Sequence, residues 1–547
     1  MTASQRGFRG PYQASQAAAI MLFGVALGLS ATGTARAVGT MTVIREVRHD
    51  VSPPLRTLAR VFPFAARGFP HQSEPVRRLP LPQRVKAANA LDLALQSAAI
   101  ARPLSIALVH DFQGLGAEQL PNTFSDQVEP PDTNGAVGTT QYVQWVNSEY
   151  AVFDKSTGKL ISGPTDGNAL WLGFGGPCQD RNDGDGIVLF DKLAKRWIIT
   201  QFALGQLGTP SESDVQCVLV STTPDARGSY NRYAFTYNGV YLNDYPKMAV
   251  WPDAYYITFN MFSTETNLIG ADACAYDRIA MINGRDTTPV CFQQNKSISG
   301  LLPSDLDGSR LPPTGAPNYM INLGDVNSLN VWKFHVDFAN ADKSTFTGPT
   351  VVTVLPFTPL CFNFSCVTQL DTWQVLDPLS DRLMYRLAYR NYGSHESLVV
   401  NHSVAAGASG GIRWYEITNP ASVPKIVQQG TFSPDDSFRW MGSIAMDRAG
   451  DMALGYSESS HALYPSIAVT GRTPNDPQNT MEREMTVVKG SGSQTGTNDS
   501  SARWGDYSAM QLDPADDCTF WYTQEYYPTP GDYLWTTRIL SLRFPNC

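Results

Sequence analysis

The chain repeats a pattern in which an apolar run ends in Asp or Pro, a short polar turn follows, and a second run is rich in aromatic residues. The clearest copy spans residues 503–521, where residues 508–512 and 519–522 flank Asp513. β-Branched and aromatic runs separated by Pro, Asp and Gly are typical of β-hairpins. The earlier copies are centred on Asp191, Asp253, Asp377 and Asp447.

The spacing of these hairpins predicts the fold. The aspartates lie 62, 124, 70 and 66 residues apart, and 124 is twice 62. A weaker copy near Gly315 fills the gap, and another near Gly138 precedes the set. Repeated β-units of one period predict radial repetition, because a lone hairpin cannot bury both faces whereas stacked neighbours can. The predicted fold class is all-β, a seven-bladed β-propeller, with six or eight blades as variants and a pair of β-sandwiches as the runner-up.

The first residues have the pattern of a secretion signal. Arg6 and Arg9 precede an apolar run over residues 17–29, and residues 35–37 (Ala-Arg-Ala) supply a small-residue cleavage pattern. We therefore predict a signal peptide over residues 1–37. The apolar run is too short to span a bilayer, so no transmembrane segment is expected.

Residues 38–105 form a second compositional region. They hold ten Lys or Arg against four Asp or Glu, a net charge of +6, with clustered prolines. This composition indicates a basic, Pro-rich linker or pro-segment. Because residues 1–37 carry +3 and the whole chain −9, residues 106–547, the expected propeller domain, carry −18. An acidic domain argues against nucleic acid as a partner and is compatible with bound cations, and a basic arm can fold back onto it.

Eight cysteines in an exported chain predict disulfides. They are Cys178, Cys217, Cys274, Cys291, Cys361, Cys366, Cys518 and Cys547. Cys518 begins one predicted strand and Cys547 ends another, so antiparallel pairing of those strands would bring the two residues together. Sequential pairing of the other six would give 178–217, 274–291 and 361–366, although the sequence alone does not fix the connectivity. The expected location is secreted, either extracellular or periplasmic.

A ring of blades also has to be closed. The final predicted strand runs to the end of the chain, so an outer strand for the last blade is expected from the N-terminal side. Residues 104–110 (LSIALVH) are the best candidate. Closure of this kind would remove an exposed sheet edge.

The chemistry is expected just before each inner hairpin, because the innermost strand of a propeller blade lines the central channel. Different blades carry different polar groups at these positions, which favours a site over a uniform scaffold. The candidate catalytic carboxylates are Asp132, Asp185, Asp244, Asp371 and Asp506. The candidate ligand-binding side chains are Arg439, Arg503, Tyr245, Trp373, Trp440 and Trp504.

One run is dense enough in carboxylates to predict a calcium site. Asp180, Asp183 and Asp185 offer the oxygen ligands that Ca²⁺ prefers. Gly184 falls where an EF-hand loop would place its fifth ligand, so the run does not follow that motif. No cofactor other than Ca²⁺ is expected.

Two loops, residues 433–440 and 497–504, share the pattern Ser/Thr-x-Asp-x-Ser-x-Arg-Trp and start 64 residues apart. The pattern resembles the sialidase Asp box, with Ser437 and Ser501 in place of its glycine and arginine in place of its threonine. In that family the box is a structural turn, so the resemblance bears on the propeller fold and implies no sialidase activity.

Longer strings carry a second resemblance. PPDTNGAVG, DYPKMAVWPDAYY and RWGDYSAMQLDPADDCTFWY are similar to segments of uncharacterised secreted bacterial proteins. The resemblance covers most of the chain from about residue 130 to the end. It implies a shared fold and export, and it brings no activity with it.

Two function classes stay open. The preferred one is a non-catalytic protein that binds an extracellular glycan or another anionic ligand, such as an acidic polysaccharide, at the mouth of the channel through Arg439 and Arg503. The alternative is a glycoside hydrolase or polysaccharide lyase, which needs two carboxyl groups about 5–10 Å apart. Binding is preferred because no acid–base pair can be named. If the two arginines are structural, their expected partners are Asp435 and Asp499.

Overall fold

The computed structural model describes residues 38–58, 72–73, 77–80, 92–98, 100, 103–116, 128–204, 214–237, 242–264, 266–361, 365–495 and 501–547. The predicted signal peptide, residues 1–37, and the predicted arginine partner Asp499 lie outside these residues. The helices are short: α1 Leu55–Leu58, α2 Pro177–Asp180, α3 Arg278–Ile282, and two 3-10 turns at Gly167–Trp171 and Ala341–Lys343. None of the described helices is long and apolar enough to cross a membrane.

The described strands form antiparallel meanders of four strands, and we call each meander a blade. Blades 1 to 3 contain β7 Thr133–Val137, β8 Gln141–Val146, β9 Glu149–Asp154 and β10 Leu160–Asp166; β11 Ile187–Asp191, β12 Arg196–Ala203, β13 Val215–Ser221 and β14 Tyr230–Thr236; and β15 Leu242–Val250, β16 Ala254–Phe262, β17 Leu268–Asp277 and β18 Val290–Gln293.

The later blades follow the same order. Blades 4 to 6 contain β19 Leu302–Asp307, β20 Asn318–Leu323, β21 Ser328–His335 and β22 Thr345–Thr353; β24 Met384–Asn391, β25 Glu396–Ala406, β26 Ser409–Thr418 and β27 Lys425–Phe432; and β28 Phe438–Met446, β29 Met452–Ser460, β30 Leu463–Arg472 and β31 Met485–Val488. Blade 7 contains β33 Ala509–Leu512, β34 Thr519–Tyr526 and β35 Thr536–Arg543, with β5 Ala107–Gly116 as its fourth strand.

The first strands of these blades contact one another in a closed ring. In chain order each of β7, β11, β15, β19, β24, β28 and β33 contacts the next, and β33 contacts β7. Between blades 4 and 5 the contact is a parallel ladder that joins Ser304 to Leu387 and Asp307 to Arg390. The ring confirms the predicted all-β propeller and excludes a pair of stacked sandwiches.

Burial follows from this arrangement. β15 and β16 are buried at every position instead of alternating. Both faces of a blade are covered by its neighbours, so inner strands need apolar residues on both sides. The buried apolar clusters accordingly contain residues of two or three adjacent blades.

Most predicted hairpin turns lie where the sequence pattern places them, at Gly138, Asp191, Asp253, Gly315, Asp447 and Asp513. The hairpin predicted at Asp377 is wrong, because the turn of blade 5 lies between Asn391 and Glu396. Asp377 instead accepts a hydrogen bond from the backbone of Leu379 at 3.0 Å. Pro378 lacks a backbone donor, which disfavours a continuous strand through this stretch.

The preceding Val375–Leu376 forms strand β23, which pairs in parallel with β32 Ser501–Ala502. The apolar run that suggested a hairpin is therefore part of a long connection between blades 4 and 5.

The ring is closed as predicted. β5 pairs antiparallel with β35, with Phe112 opposite Ile539 and Asp111 opposite Leu540. The strand begins at Ala107, three residues after the predicted start, and continues to Gly116. The last blade therefore takes its outer strand from the N-terminal side of the chain.

The predicted Cys518–Cys547 disulfide is present, and the other six cysteines, whose pairing the sequence left open, form the sequential bridges Cys178–Cys217, Cys274–Cys291 and Cys361–Cys366. Cys518 directly precedes β34 and Cys547 follows β35, so the last of these bridges fastens the closing blade. Four disulfides are compatible with a secreted or periplasmic protein.

The described parts of residues 38–105 differ from the linker that their composition indicates. β1 Thr40–Val43 is the outer strand of blade 3, β2 Glu46–Val51 is the outer strand of blade 2, and β4 Leu95–Gln96 pairs with blade 5. A fourth strand, β3 Gln72–Ser73, pairs with β6 Val128–Glu129. Backbone hydrogen bonds at sheet edges do not require a regular apolar pattern, so composition gave little sign of these strands.

Removing the Cys518–Cys547 bridge should destabilise the protein more than removing Cys361–Cys366. The bridged residues are 29 apart in the first case and 5 in the second. From loop-closure entropy, we expect the free energy of unfolding to fall by about 3–4 kcal/mol in the double Cys→Ser variant of Cys518 and Cys547, and by about 2 kcal/mol in that of Cys361 and Cys366. Urea denaturation midpoints measure the difference, and the reverse order would contradict the fastening role of the terminal bridge.

Candidate functional site

Four of the five candidate carboxylates meet where the first strands begin, and we call this end of the channel the mouth. The backbone N–H of Asp506 donates to Asp132 Oδ1 at 2.7 Å, and the side chains of Asp132 and Asp185 are hydrogen bonded to each other. Asp185 Oδ2 also accepts from the backbone of Tyr245 at 3.1 Å. Asp244 lies close enough to interact electrostatically with Asp185 and Asp506. Blades 1, 2, 3 and 7 therefore each contribute one aspartate.

The backbone at three mouth positions is unusual. Asp132, Asp185 and Tyr245 have φ angles of 44°, 49° and 57°. Left-handed backbone is uncommon outside glycine, and it persists only where surrounding structure enforces it. The mouth thus holds its carboxylates in positions that ordinary extended strands would not give.

A lysine lies at the centre of the aspartates. Lys247 is fully buried, and its Nζ sits 3.4 Å from the ring centre of Tyr245 and 3.9 Å from that of Tyr507. It donates to the carbonyl of Pro246 at 2.9 Å. The two aromatic faces stabilise an ammonium group that burial would otherwise disfavour.

A second pair of carboxyl groups supports the mouth from behind. Glu525 Oε1 accepts from the backbone of Gly505 at 2.6 Å, and Glu129 Oε1 accepts from the backbone of Arg503 at 3.2 Å. A Cβ at position 505 would lie 2.5 Å from Glu525 Oε1, so a larger residue there would displace this carboxyl group. These bonds fix the segment that carries Arg503 and Asp506, whose side chains pair at 2.7 Å.

Burial dominates the electrostatics of the mouth. Desolvation raises the pKa of Asp185 to about 6, with a further rise from Asp244, and it also raises the pKa of Asp244. Desolvation lowers the pKa of Lys247 to about 8 in spite of the nearby aspartates. It raises the pKa of Glu129 to about 8. Several groups therefore titrate near neutral pH, as is common at functional sites.

Part of the N-terminal region lies in the mouth. Arg77 Nη1 donates to Asp244 Oδ1 at 3.0 Å, and both side chains are nearly buried. Arg382 Nη2 donates to the carbonyl of Arg77 at 2.8 Å, and its guanidinium lies 4.6 Å from the ring centre of Tyr245. The basic arm thus folds back onto the acidic body.

Arg439, predicted to bind a ligand, is instead part of the scaffold. It is fully buried in blade 6, where its guanidinium contacts Asp435 at 3.0 Å, Glu458 at 3.4 Å and Glu484. Its Nε donates to Glu484 Oε2 at 2.8 Å. Asp435 is the local partner expected for a structural arginine, and three carboxylates already compensate the charge of Arg439.

The tryptophans are also placed differently from the prediction. Trp440 and Trp504 are both 0% exposed and pack edge to face at 5.4 Å between blades 6 and 7. Trp504 Nε1 donates to Ser457 Oγ at 3.1 Å. Neither ring can stack on a sugar, because large aromatic side chains between blades serve the core. Trp373 is 77% exposed and lies in the connection between blades 4 and 5.

Asp371, the fifth candidate carboxylate, lies in the same connection as Trp373. It is exposed and accepts from the hydroxyl of Tyr464 at 2.6 Å. It does not join the other four aspartates. Tyr245, in contrast, lies in the mouth as predicted, although it is 3% exposed.

The three carboxylates predicted to bind Ca²⁺ do not converge. Asp183 Oδ2 accepts from the backbone of Leu204 at 2.7 Å, Asp185 faces the mouth, and Asp180 is exposed at the end of α2. Among the described residues, the groups of three or more potential ligand atoms within 4.8 Å of one another do not include this set. One such group, Asp435, Glu458 and Glu484, surrounds the guanidinium of Arg439.

Sequence reasoning missed several residues of the mouth. Arg77 belongs to the region predicted to be a linker, and Arg382 lies within the stretch predicted to form the hairpin at Asp377. Glu129 and Glu525 lie outside the loops in which the sequence predicted the candidate site residues. The excess of basic residues before position 105 and of acidic residues after it was the one available signal for the contact of Arg77 with the mouth.

No protein-family model and no curated protein sequence matches this chain. Among solved structures it is similar to the N-terminal domain of Nup159, with 8% identity and a TM-score of 0.33 over 82% of this chain and 99% of that one. It is also similar to the WD40 domain of SCAP from fission yeast, with 9% identity and a TM-score of 0.31 over 74% and 82%. A third similar structure is a xylan β-1,4-xylosidase from Bacillus halodurans C-125, with 6% identity and a TM-score of 0.29 over 76% of this chain and 97% of that one. Likenesses at these TM-scores support no functional argument.

Replacing Arg439 with Met should lower the free energy of unfolding by about 3–5 kcal/mol, because Glu458 and Glu484 would stay buried without their guanidinium partner. Urea denaturation measures the loss. Arg543→Met is the matched control, since the Arg543 side chain is 43% exposed and pairs with Asp516 at the surface. The control should change stability by about 0.5 kcal/mol or less. Equal midpoints for the two variants would show that Arg439 is not a scaffold residue.

Proposed function

We propose that this chain is an exported binding protein whose channel mouth binds a cationic ligand through Asp132, Asp185, Asp244 and Asp506. The observation that supports the proposal most directly is the position of Arg77. Its guanidinium pairs with Asp244, one of the four aspartates, at 3.0 Å. A planar, weakly hydrated cation suits a partly desolvated carboxylate.

The charge of the mouth favours a cation over the acidic polysaccharide considered from the sequence. Binding of an acidic polysaccharide would require the charges of Arg439 and Arg503 to be uncompensated by carboxylates of the protein. Arg439 is enclosed by three carboxylates, and Arg503 pairs with Asp506 at 2.7 Å. A carboxylated sugar in the mouth would face four aspartates, which repel it.

Binding is also favoured over hydrolysis. Convergent carboxylates and the raised pKa of Asp185, about 6, are features of glycoside hydrolases. Asp132 and Asp185, however, share a hydrogen bond. Their carboxyl groups are therefore in contact, whereas cleavage of a glycosidic bond needs a separation of about 5–10 Å. Hydrolysis stays the second candidate because the mouth contains further carboxylates.

The first test compares two probes of opposite charge on the full chain carrying Arg77→Gln, which removes the charge of the resident arginine. Isothermal titration calorimetry should detect binding of agmatine, which carries a guanidinium group, and no binding of oligogalacturonate. Asp244→Asn in the same background should weaken agmatine binding by about tenfold, the loss expected for one charge-assisted hydrogen bond. Asp516→Asn, which alters a half-buried aspartate in the turn between β33 and β34, is the matched control. Binding of oligogalacturonate without agmatine would refute the proposal.

Agmatine binding to the Arg77→Gln chain should depend on pH with a defined sign. Asp185 has a pKa of about 6, so acidification from about pH 7.5 to about pH 5 neutralises it and should weaken binding several-fold. Lys247 has a pKa of about 8, so a rise to about pH 9 removes a positive charge from the mouth and should strengthen binding. Titrations over this range measure both steps. Adding Asp185→Asn should remove the acidic step, and tighter binding on acidification would contradict the assignment.

A further inference from the structure

Residues 77–80, Arg-Arg-Leu-Pro, lie across the mouth and contact it through both arginine side chains. Arg77 pairs with Asp244 at 3.0 Å. Arg78 donates from Nη2 to Asp377 Oδ2 at 2.6 Å and from Nη1 to Asp377 Oδ1 at 3.4 Å. The second contact is a fork-to-fork pair, the geometry in which arginine recognises a carboxylate most specifically. Asp377 is nearly fully buried, which strengthens the pair.

The mouth also contacts the backbone and the apolar side chain of this segment. Leu79 N donates to Asp381 Oδ2 at 2.7 Å, and Arg382 Nη2 donates to the carbonyl of Arg77 at 2.8 Å. The side chain of Leu79 is buried over Gly300, where a Cβ would lie 3.2 Å from Leu79 Cδ1. The protein therefore provides a partner for each of five groups in this segment: one backbone donor, one backbone acceptor, two cations and one apolar side chain. Such a set is what a peptide-recognition site provides.

The mode of attachment separates this segment from the other described parts of the N-terminal region. β1 and β2 are held at the outer edges of blades 3 and 2 by backbone ladders, which depend weakly on side-chain identity. Residues 77–80 belong to no strand, and their contacts depend on arginine at two positions. A segment needed only to cover a sheet edge would not require that chemistry.

The charge balance gives the segment its driving force. Besides Arg77, the cations of the described residues that act on the mouth aspartates include Lys247, Arg503 and Arg382, and Arg382 is shared with Asp381, to which it is bonded at 2.6 Å. Excess negative charge in a desolvated cavity is unfavourable, and a cation from outside relieves it. The vacated mouth would therefore bind a suitable basic group strongly.

We infer that the mouth is a peptide-binding site that reads two adjacent arginines followed by an apolar residue, and that residues 77–80 are its tethered occupant. The partner is a basic peptide of this pattern presented by another chain, which displaces residues 77–80. The inference rests on the proposed function, because it uses the same aspartates, and it names the ligand class.

The tether sets the size of the expected effect. An occupant joined covalently to its site competes at an effective concentration, which we take as about 1 mM. If the free peptide binds an open mouth with a Kd of about 10 μM, the tethered copy weakens its apparent affinity about 100-fold. Removing the resident arginines should therefore uncover binding that the unaltered chain hides.

The experiment uses the full chain with Arg77→Gln and Arg78→Gln, and a fluorescent peptide of residues 74–82, EPVRRLPLP. Fluorescence anisotropy should show the peptide binding the double variant at least about tenfold more tightly than the unaltered chain. Asp377→Asn in the double variant should weaken binding by about tenfold through loss of the fork-to-fork pair. Arg56→Gln is the matched control, because Arg56 is 58% exposed and pairs with Asp225 at the surface, and it should behave as the unaltered chain.

Two further measurements make the outcome decisive. A peptide with citrulline at both arginine positions keeps its shape without charge and should not bind the double variant. Arg78→Gln alone serves if the double variant does not fold. Equal peptide affinities for variant and unaltered chain, or equal affinities of the arginine and citrulline peptides, overturn the inference. Agmatine binding without peptide binding overturns it while the proposed function stands, and failure of both probes overturns both.

Discussion

Compensation of buried charge is the constraint on which the channel depends. Arg386, in the first strand of blade 5, is fully buried and donates to Asp305 Oδ2 at 2.9 Å and to the carbonyl of Met510 at 2.9 Å. It also pairs with Asp307. These bonds link the first strands of blades 4, 5 and 7 across the channel. An ionised group removed from water needs such partners, so the same arginine satisfies the carboxylates and holds the ring together.

The mouth meets the same constraint in a different way. At the level of Arg386, the cation and its two carboxylate partners, Asp305 and Asp307, all belong to the blades. At the mouth, Asp244 takes its nearest cation from Arg77, which lies outside the blades. Because Arg77 belongs to a segment outside the blades, a cation from another molecule could take its place beside Asp244. That difference is the reason why we propose ligand binding at the mouth and a structural role at the level of Arg386.

The sequence predicted features that depend on local pattern and failed where long-range contacts decide. The period of the hairpins located the four mouth aspartates, because equivalent positions of a repeat lie at the same depth in a ring. It could not place Arg77 beside Asp244, 167 residues away, since no pattern links the two. It misjudged Arg439 because successive strand residues face opposite sides, and the motif alone does not say which side meets the channel. The hairpin at Asp377 failed because Pro378 and the loop contacts outweighed an apolar run.

The two related arginine motifs make different contacts although they belong to the same repeat. Arg439 pairs with Asp435, four residues before it, and with two glutamates of its own blade. Arg503 pairs with Asp506, three residues after it, and Asp506 in turn donates its backbone N–H to Asp132 of blade 1. In blade 6 the turn therefore closes on itself, whereas in blade 7 it connects to the mouth. The repeat supplies two similar arginines, and the position of one carboxylate decides which of them takes part in the site.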